Sequence, residues 1–356
     1  MMETNTHDPQ QLTELSRLLA TSRKMVVTCH FSPDGDALGS SLGLKCIVGA
    51  LNPEAKVSVI TPDSPTATLS FLPGYNDIVI YSARTSYADR LIADCDLLLC
   101  LDFNQLSRTD RMADSLARCN ATKVLIDHHL DPDPFADLTF SKPEKAATAM
   151  LLFELIDACR LRKAVTPDAA NCLLTGILTD TGNLSYNVGD PALFNVVAAL
   201  IRLGADKKYL NRRLFEVTTE SNLRIQGFAL SQRMEVYHDR HAALIWLTRD
   251  DLNRFGYKKG DTEGLVNRPM DIPGILYSCY LREEEDYIKV SMRSRGDFPV
   301  NVLCSEHFEG GGHLNAAGGE FHGTMQQAID KFKSLLNINQ EKYIDRNPVL
   351  QALLDQ

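Results

Sequence analysis

Four short apolar runs constrain this chain more than anything else in it. Met25-Val-Val-Thr-Cys runs into His30, Val57-Ser-Val-Ile into Thr61, Leu97-Leu-Leu-Cys-Leu into Asp102, and Lys123-Val-Leu-Ile into Asp127. Each is too short for a helix, rich in Val, Ile or Leu, and closed by polar residues, so each reads as a buried strand. Residues 38–51, 87–93 and 146–159 carry apolar side chains at helical spacing. Strands alternating with helices in this way predict an α/β fold with a parallel sheet and helices on both of its faces.

The texture changes after Ala205. Residues 206–222 are polar, with Lys-Lys and Arg-Arg pairs, and read as a linker helix. From about Ile225 strand-like segments dominate, at 234–238, 242–247, 275–281 and 287–294. The last two read as a hairpin around a charged tip at 282–286. A helix over 324–336 follows the last glycine cluster. The organisation predicted is a first domain over 12–205, the linker helix, and a smaller mixed-sheet α/β domain over 223–340.

Candidate chemistry sits at strand ends, where open α/β sheets collect their ligands. His30, Asp34 and Asp36 follow the first strand, in a turn bracketed by Pro33 and Gly35. Imidazole and carboxylate are typical ligands of divalent ions, although a Pro-Asp-Gly-Asp turn is also ordinary helix-capping chemistry. Asp127, His128 and His129 close another strand. Adjacent histidines on an extended backbone point to opposite sides, so one can face a metal while the other meets substrate. Asp127 could then orient a ring nitrogen. Asp102 closes a third strand, and Asp180 ends a helical run.

Composition narrows the function classes. Nine cysteines, an odd number with no Cys-x-x-Cys pair, suggest neither a disulfide framework nor a zinc knuckle. No apolar run approaches the roughly 20 residues of a membrane helix, and the N-terminus lacks the features of a signal peptide. A reducing cytoplasm is the expected compartment. A net charge of −9 disfavours coating long duplex DNA, whose affinity comes largely from phosphate neutralisation. A phosphorylated substrate held in one pocket remains compatible.

Taken in order, His30-x3-Asp34-x-Asp36-Ala-x-Gly-Ser, Asp102, Asp127-His128-His129 and Gly176-Ile-Leu-Thr-Asp180-Thr-Gly resemble the signature of the DHH phosphoesterase superfamily. Val290-Ser-Met-Arg293-Ser294 and Gly310-Gly-Gly-His313-x-x-Ala316-Ala317-Gly318 resemble its DHH-associated C-terminal domain. The resemblance spans residues 12 to 335. It implies a catalytic first domain, a substrate-binding second domain and a catalytic cleft between them. It also implies two divalent ions, usually manganese, with magnesium or cobalt as alternatives. His30, Asp34 and Asp102 would hold the first ion, and Asp36, Asp102, His128 and Asp180 the second, with Asp102 bridging. Asp102, Asp127 and His129 would serve catalysis. Arg293, Ser294, Gly310, Gly311, Gly312 and His313 would anchor the substrate.

The two-domain plan is similar to that of bacterial oligoribonucleases of the nanoRNase A type. That implies hydrolysis of short RNAs and linear dinucleotides such as pApA to 5′-mononucleotides, and of 3′-phosphoadenosine 5′-phosphate (pAp) to AMP. A homodimer is compatible with this plan, and no membrane or long duplex DNA is an expected partner. The alternatives are a RecJ-like single-strand exonuclease, an exopolyphosphatase and, in another class, a catalytically silent nucleotide-binding regulator.

Overall fold

A computed structural model describes residues 8–216 and 218–337, so the last residues of the expected second domain, 338–340, lie outside the described residues. The chain divides into two units, one ending at Val217 and one beginning at Thr218.

The first unit runs α1 (Pro9–Thr21), β1 (Lys24–Thr28), α2 (Gly35–Leu51), β2 (Lys56–Thr61), β3 (Val79–Ile80), α3 (Thr85–Ala93), β4 (Leu97–Leu101), α4 (Ala113–Arg118) and β5 (Thr122–Asp127). It continues through β6 (Leu138–Ser141), α5 (Thr148–Ala158), α6 (Pro167–Asp180), α7 (Pro191–Arg202) and α8 (Lys207–Leu214). The six strands form one sheet in the order β3-β2-β1-β4-β5-β6, and every pairing is parallel. Both faces of its centre are buried, which is why the strands read as unbroken apolar runs. Met25, Val27, Leu97, Leu99, Leu101, Val124 and Ile126 pack into a core with α1, α2, α5, α6 and α7. Val26, Leu98, Cys100 and Leu125 face the opposite way, against Ala88, Ile92 and Leu116 of α3 and α4. The strand order reverses between β1 and β4, the kind of switch point at which open α/β sheets bind ligands.

Residues 206–222 are not one helix. Asp206 caps α8 and Thr219 caps α9 (Glu220–Gln232), so the segment contains two helix starts. Leu210 of α8 is buried in the core of the first unit, whereas Ile225 and Ala229 of α9 pack on Ile245 and Leu247 of the second. Ile225, where strand texture was expected to begin, is therefore helical.

The second unit continues with β7 (Met234–Tyr237), β8 (Ala242–Leu247), α10 (Arg249–Arg254), β9 (Tyr277–Glu283) and β10 (Ile288–Ser294). It ends with α11 (Val300–His307), β11 (Gly311–His313), β12 (Ala316–Phe321) and α12 (Met325–Leu335). Its sheet, β11-β12-β10-β9-β8-β7, is mixed, with only β8 and β9 parallel. The charged tip expected at 282–286 is the β9–β10 turn, closed by the Glu284 N–H on the Tyr287 carbonyl. Among the described residues no helix is long and apolar enough to cross a membrane.

Candidate dimetal site

The ends of β1, β4 and β5 deliver His30, Asp102 and Asp127–His129 to the same edge of the sheet. Asp180 comes from the last turn of α6, Asp34 from the N-cap of α2 and Asp36 from its first turn. Glycine explains how two helices meet so closely there. A Cβ on Gly39 of α2 would lie 2.5 Å from the Cys172 carbonyl oxygen and 2.7 Å from the Gly176 nitrogen, both in α6. A Cβ on Gly176 would lie 2.5 Å from Asp36 Oδ1. Backbone-to-backbone packing at this crossing, which any side chain would hold apart, sets Asp180 beside the acidic start of α2.

Asp34 is both a cap and a candidate ligand. Its Oδ1 accepts the N–H groups of Asp36 (2.9 Å) and Ala37 (3.0 Å), while Oδ2 lies 3.8 Å from His30 Nε2. Asp36 is fully buried. Its oxygens accept the Thr148 N–H at 2.6 Å and the Ala149 N–H at 2.9 Å, supplying the cap that Ala147, at the N-cap of α5, cannot.

Asp102 stands at the centre. Its backbone is left-handed (φ 64°), an uncommon state for a residue with a side chain and one that clusters at functional sites. Its Oδ2 lies 3.5 Å from His30 Nε2, and its Oδ1 lies 3.6 Å from His128 Nε2. The hydroxyl of Thr148 donates to Oδ1 at 2.9 Å. One carboxylate thus faces two clusters with different oxygens. His30, Asp34 and Asp102 converge in one, and Asp36, His128 and Asp180 in the other, with ligand atoms inside each within 4.8 Å. His128 Nε2 is also 3.3 Å from Asp180 Oδ2 and 4.0 Å from Asp36 Oδ2.

Backbone carbonyls aim the imidazoles. His30 Nδ1 lies 2.8 Å from the Phe31 carbonyl and His128 Nδ1 lies 3.2 Å from the Lys145 carbonyl. A carbonyl only accepts, so each Nδ1 carries a hydrogen and Nε2 is the ring atom turned toward the carboxylates. His129 is held differently, with Nδ1 2.7 Å from Asp127 Oδ1. Asp127 is fully buried, and its Oδ2 also accepts the His129 N–H at 3.1 Å. His129 Nδ1 lies 3.9 Å from Asp102 Oδ1, so this ring borders the cluster as well.

The electrostatics favour bound cations. Burial first, then the charges of Asp102 and Asp180, push Asp36 well above the usual carboxylate range. Burial, with Asp102 and Asp34 adding, pushes Asp180 up to about 8. Burial opposes a charge on His30, yet the Asp102 and Asp34 carboxylates outweigh it and raise the imidazole to about 10. Burial likewise opposes ionisation of Asp34, but His30 and the Ala37 N–H hold its carboxyl below the ordinary value. Crowded acids that resist ionising together, beside imidazoles whose Nε2 atoms face them, form a donor set that fits divalent ions with mixed oxygen and nitrogen ligation, a bound cation taking the place of the His30 proton.

All six expected metal ligands are brought together. Sequence reasoning missed their supports: Thr148, the Ala149 N–H, and the Phe31 and Lys145 carbonyls. Backbone groups carry no residue signature. Only Thr148, a hydroxyl residue where a helix begins, offered a signal.

The expected substrate residues lie in the second unit. Gly311–His313 forms β11, an edge strand on β12. His313 pairs with Ala316, which pairs with Arg293 on β10, so Arg293 and His313 share one face, roughly 10 Å apart at two strand spacings. Arg293 Nη1 donates to the Met292 carbonyl at 2.9 Å. Ser294 is buried, donating to the Phe298 carbonyl at 2.6 Å and accepting from Asn315 Nδ2 at 2.9 Å, so its hydroxyl braces the hairpin. Gly310 and Gly312 are required by packing: a Cβ on either would strike the β12 backbone, and Gly312 has φ 141°. A Cβ on Gly311 would meet nothing within 4 Å.

The DHH family, N-terminal domain, matches residues 24–177, and the DHHA1 domain matches residues 242–338. The bifunctional oligoribonuclease and PAP phosphatase NrnA of Thermus thermophilus is 31% identical over 338 residues, covering 93% of this chain and 95% of that protein. NrnA of Bacillus subtilis is 26% identical over 311 residues, covering 87% and 93%. Among solved structures, an exopolyphosphatase-related protein from Bacteroides fragilis is similar with a TM-score of 0.84 and 40% identity, covering 98% of this chain and 99% of that one.

Proposed function

Because the chain belongs to the DHH phosphoesterase family and carries a DHHA1 domain, we propose that this hydrolase acts on short oligoribonucleotides and on pAp, with manganese as its metal. The observation that carries the reading is the divided Asp102 carboxylate, with one oxygen toward each ligand cluster. The names of its NrnA relatives support the substrate class.

His30, Asp34 and Asp102 Oδ2 would hold one cation, and Asp36, His128, Asp180 and Asp102 Oδ1 the other. When bound there, two such ions would supply a water of lowered pKa and positive charge against the phosphoryl oxygens. Thr148 fixes Asp102 so that both of its oxygens keep their direction. His129, anchored through Nδ1 by Asp127, would present Nε2 to a phosphoryl or leaving oxygen. In the second unit, Arg293 and His313 would receive the terminal phosphate by charge-assisted hydrogen bonds. Gly311, the one glycine of its block that packing does not require, would admit that phosphate to the backbone N–H groups. Action in the cytoplasm belongs to the same reading.

Polyphosphate hydrolysis is the competing reading, supported by the likeness to the exopolyphosphatase-related protein. The deciding experiment compares product release from pApA, pAp and polyphosphate, with manganese and with EDTA. The proposal expects manganese-dependent AMP from the first two, and faster orthophosphate release from polyphosphate would overturn it.

A further inference from the structure

Outside the dimetal site, the chain brings two thiols together at the opposite end of its parallel sheet. Cys95 follows α3 and stands two residues before β4, and Cys119 follows α4 and stands three residues before β5. β4 and β5 are neighbours, with Leu97 paired to Thr122, so the sheet itself places these cysteines side by side. Their sulfurs are 3.7 Å apart, and each lies 3.2 Å from the Ile92 carbonyl oxygen. Both thiols are free. Cys95 is half-buried, and Cys119, though buried, lines a cavity of about 210 Å³ together with Asp89, Ile92, Ala93, Ser115 and Arg118. That volume holds several water-sized molecules.

The two sulfurs are not equivalent. The hydrogen bond from Cys95 pulls the Cys119 thiol down to about 6 against the opposing effect of burial, and the Ala121 N–H and the Lys123 ammonium help. Its partnership with Cys119 pushes Cys95 up, and burial adds to that. Lys123 is fixed nearby, its Nζ donating to the Cys119 carbonyl at 2.5 Å. An acidified thiol beside a cation and an open cavity, with a second thiol in reach, is the environment of an oxidation-sensitive cysteine pair.

We propose that Cys95 and Cys119 form an oxidation site at which a small hydroperoxide converts the two thiols into a disulfide. The Cys119 thiolate attacks the peroxide: an S–O bond forms, the O–O bond breaks, and the leaving oxygen departs as water or alcohol after taking up a proton. The Cys95 sulfur then attacks the sulfenic sulfur of Cys119, forming the S–S bond and breaking the S–O bond, and the hydroxyl leaves as water with the Cys95 proton. The two sulfurs lose two electrons, which reduce the hydroperoxide. The link ties the entry ends of the two strands whose other ends carry Asp102 and Asp127–His129.

The test treats the native full-length protein with equimolar hydrogen peroxide, counts thiols, and maps disulfides after alkylation and digestion. Free thiols should fall from nine to seven, with Cys95 and Cys119 in one linked peptide, and dithiothreitol should restore all nine. In Cys95→Ser, Cys119 should stop at the sulfenic acid and be trapped by dimedone. Cys119→Ser, or Cys119→Ala should the serine variant not fold, should give neither product. Linkage of Cys46 to Cys172, another pair of thiols that shift each other's titration, would overturn the proposal if it formed in place of the Cys95–Cys119 link. Retention of all nine thiols, or dimedone capture at Cys95, would also overturn it.

Discussion

Adding one methyl group at Gly176 tests how the site is built. A Cβ there would sit 2.5 Å from Asp36 Oδ1 and 2.8 Å from the Ala149 Cβ. The first distance is about 0.9 Å short of the 3.4 Å at which ordinary contact begins. α2 and α6 are locked by backbone contact at Gly39, so the carboxylate is the part that must move. A shift of that size stretches the 2.9 Å bond from the Ala149 N–H to Oδ1 beyond hydrogen-bonding range. Overpacking costs about 1–3 kcal/mol, and an orphaned buried donor costs another ~1–3 kcal/mol. Gly176→Ala should therefore lose about 2–6 kcal/mol, a large part of the 5–15 kcal/mol typical of a domain. Urea unfolding measures that loss, and calorimetric titration with manganese should show a weakened ion at the Asp36–His128–Asp180 cluster. Gly49→Ala is the control on α2. Nothing lies within 4 Å of its Cβ, and replacing a helical glycine by alanine should gain roughly 0.5–1 kcal/mol. If Gly176→Ala unfolds within about 1 kcal/mol of the parent and binds manganese equally well, close helix approach does not set the site.

Asp102→Ala removes an oxygen from both clusters, so turnover should fall below a few per cent; higher activity in manganese would refute the bridging role. His129→Ala should keep both metals by elemental analysis yet turn over slowly, and metal loss in this variant would make His129 a ligand. Arg293→Ala should slow cleavage of a 5′-phosphorylated dinucleotide by about ten- to a hundred-fold, the worth of a charge-assisted bond. A chromogenic phosphodiester should be far less affected, and equal loss on both substrates would refute the anchoring role. In EDTA, stability should fall as pH rises. Asp180 and His30, at about 8 and about 10, lie above their ordinary values of 3.8 and 6.5, so folding favours their protonated forms. The stability they contribute is complete below the ordinary values and is lost as pH climbs to the raised ones. Urea midpoints from pH 5 to 9 should show the fall, manganese should flatten it, and a midpoint rising with pH in EDTA would refute the electrostatic reading.

Legibility in the sequence followed burial. β1, β4 and β5 were readable to within a residue or two because burial on both faces leaves a nearly unbroken apolar run, and β2 because its buried end, Val59–Thr61, follows the same rule. β3 has two residues and β6 has one buried position in four, so neither carries a usable pattern. α9 was obscured because its buried stripe is thin, Ile225 and Ala229 alone. The candidate ligand residues were legible because histidines and aspartates at strand ends are chemically conspicuous. Their supports were not, since the bond from Thr148 to Asp36 joins residues 112 positions apart through a backbone N–H. The glycines of residues 310–312 looked alike in sequence, but packing accounts for Gly310 and Gly312 and leaves Gly311 unexplained.

The left-handed backbone of Asp102 also bears on how this enzyme would decay. An aspartate held there costs about 1 kcal/mol that glycine would not. Drift toward a calmer backbone therefore runs through the residue that faces both ligand clusters. Asp102→Gly would relax the turn and empty the junction of its carboxylate in a single step. A descendant released from selection for hydrolysis would be drawn toward a sturdier, silent nucleotide binder, and the active enzyme holds its position against that gradient.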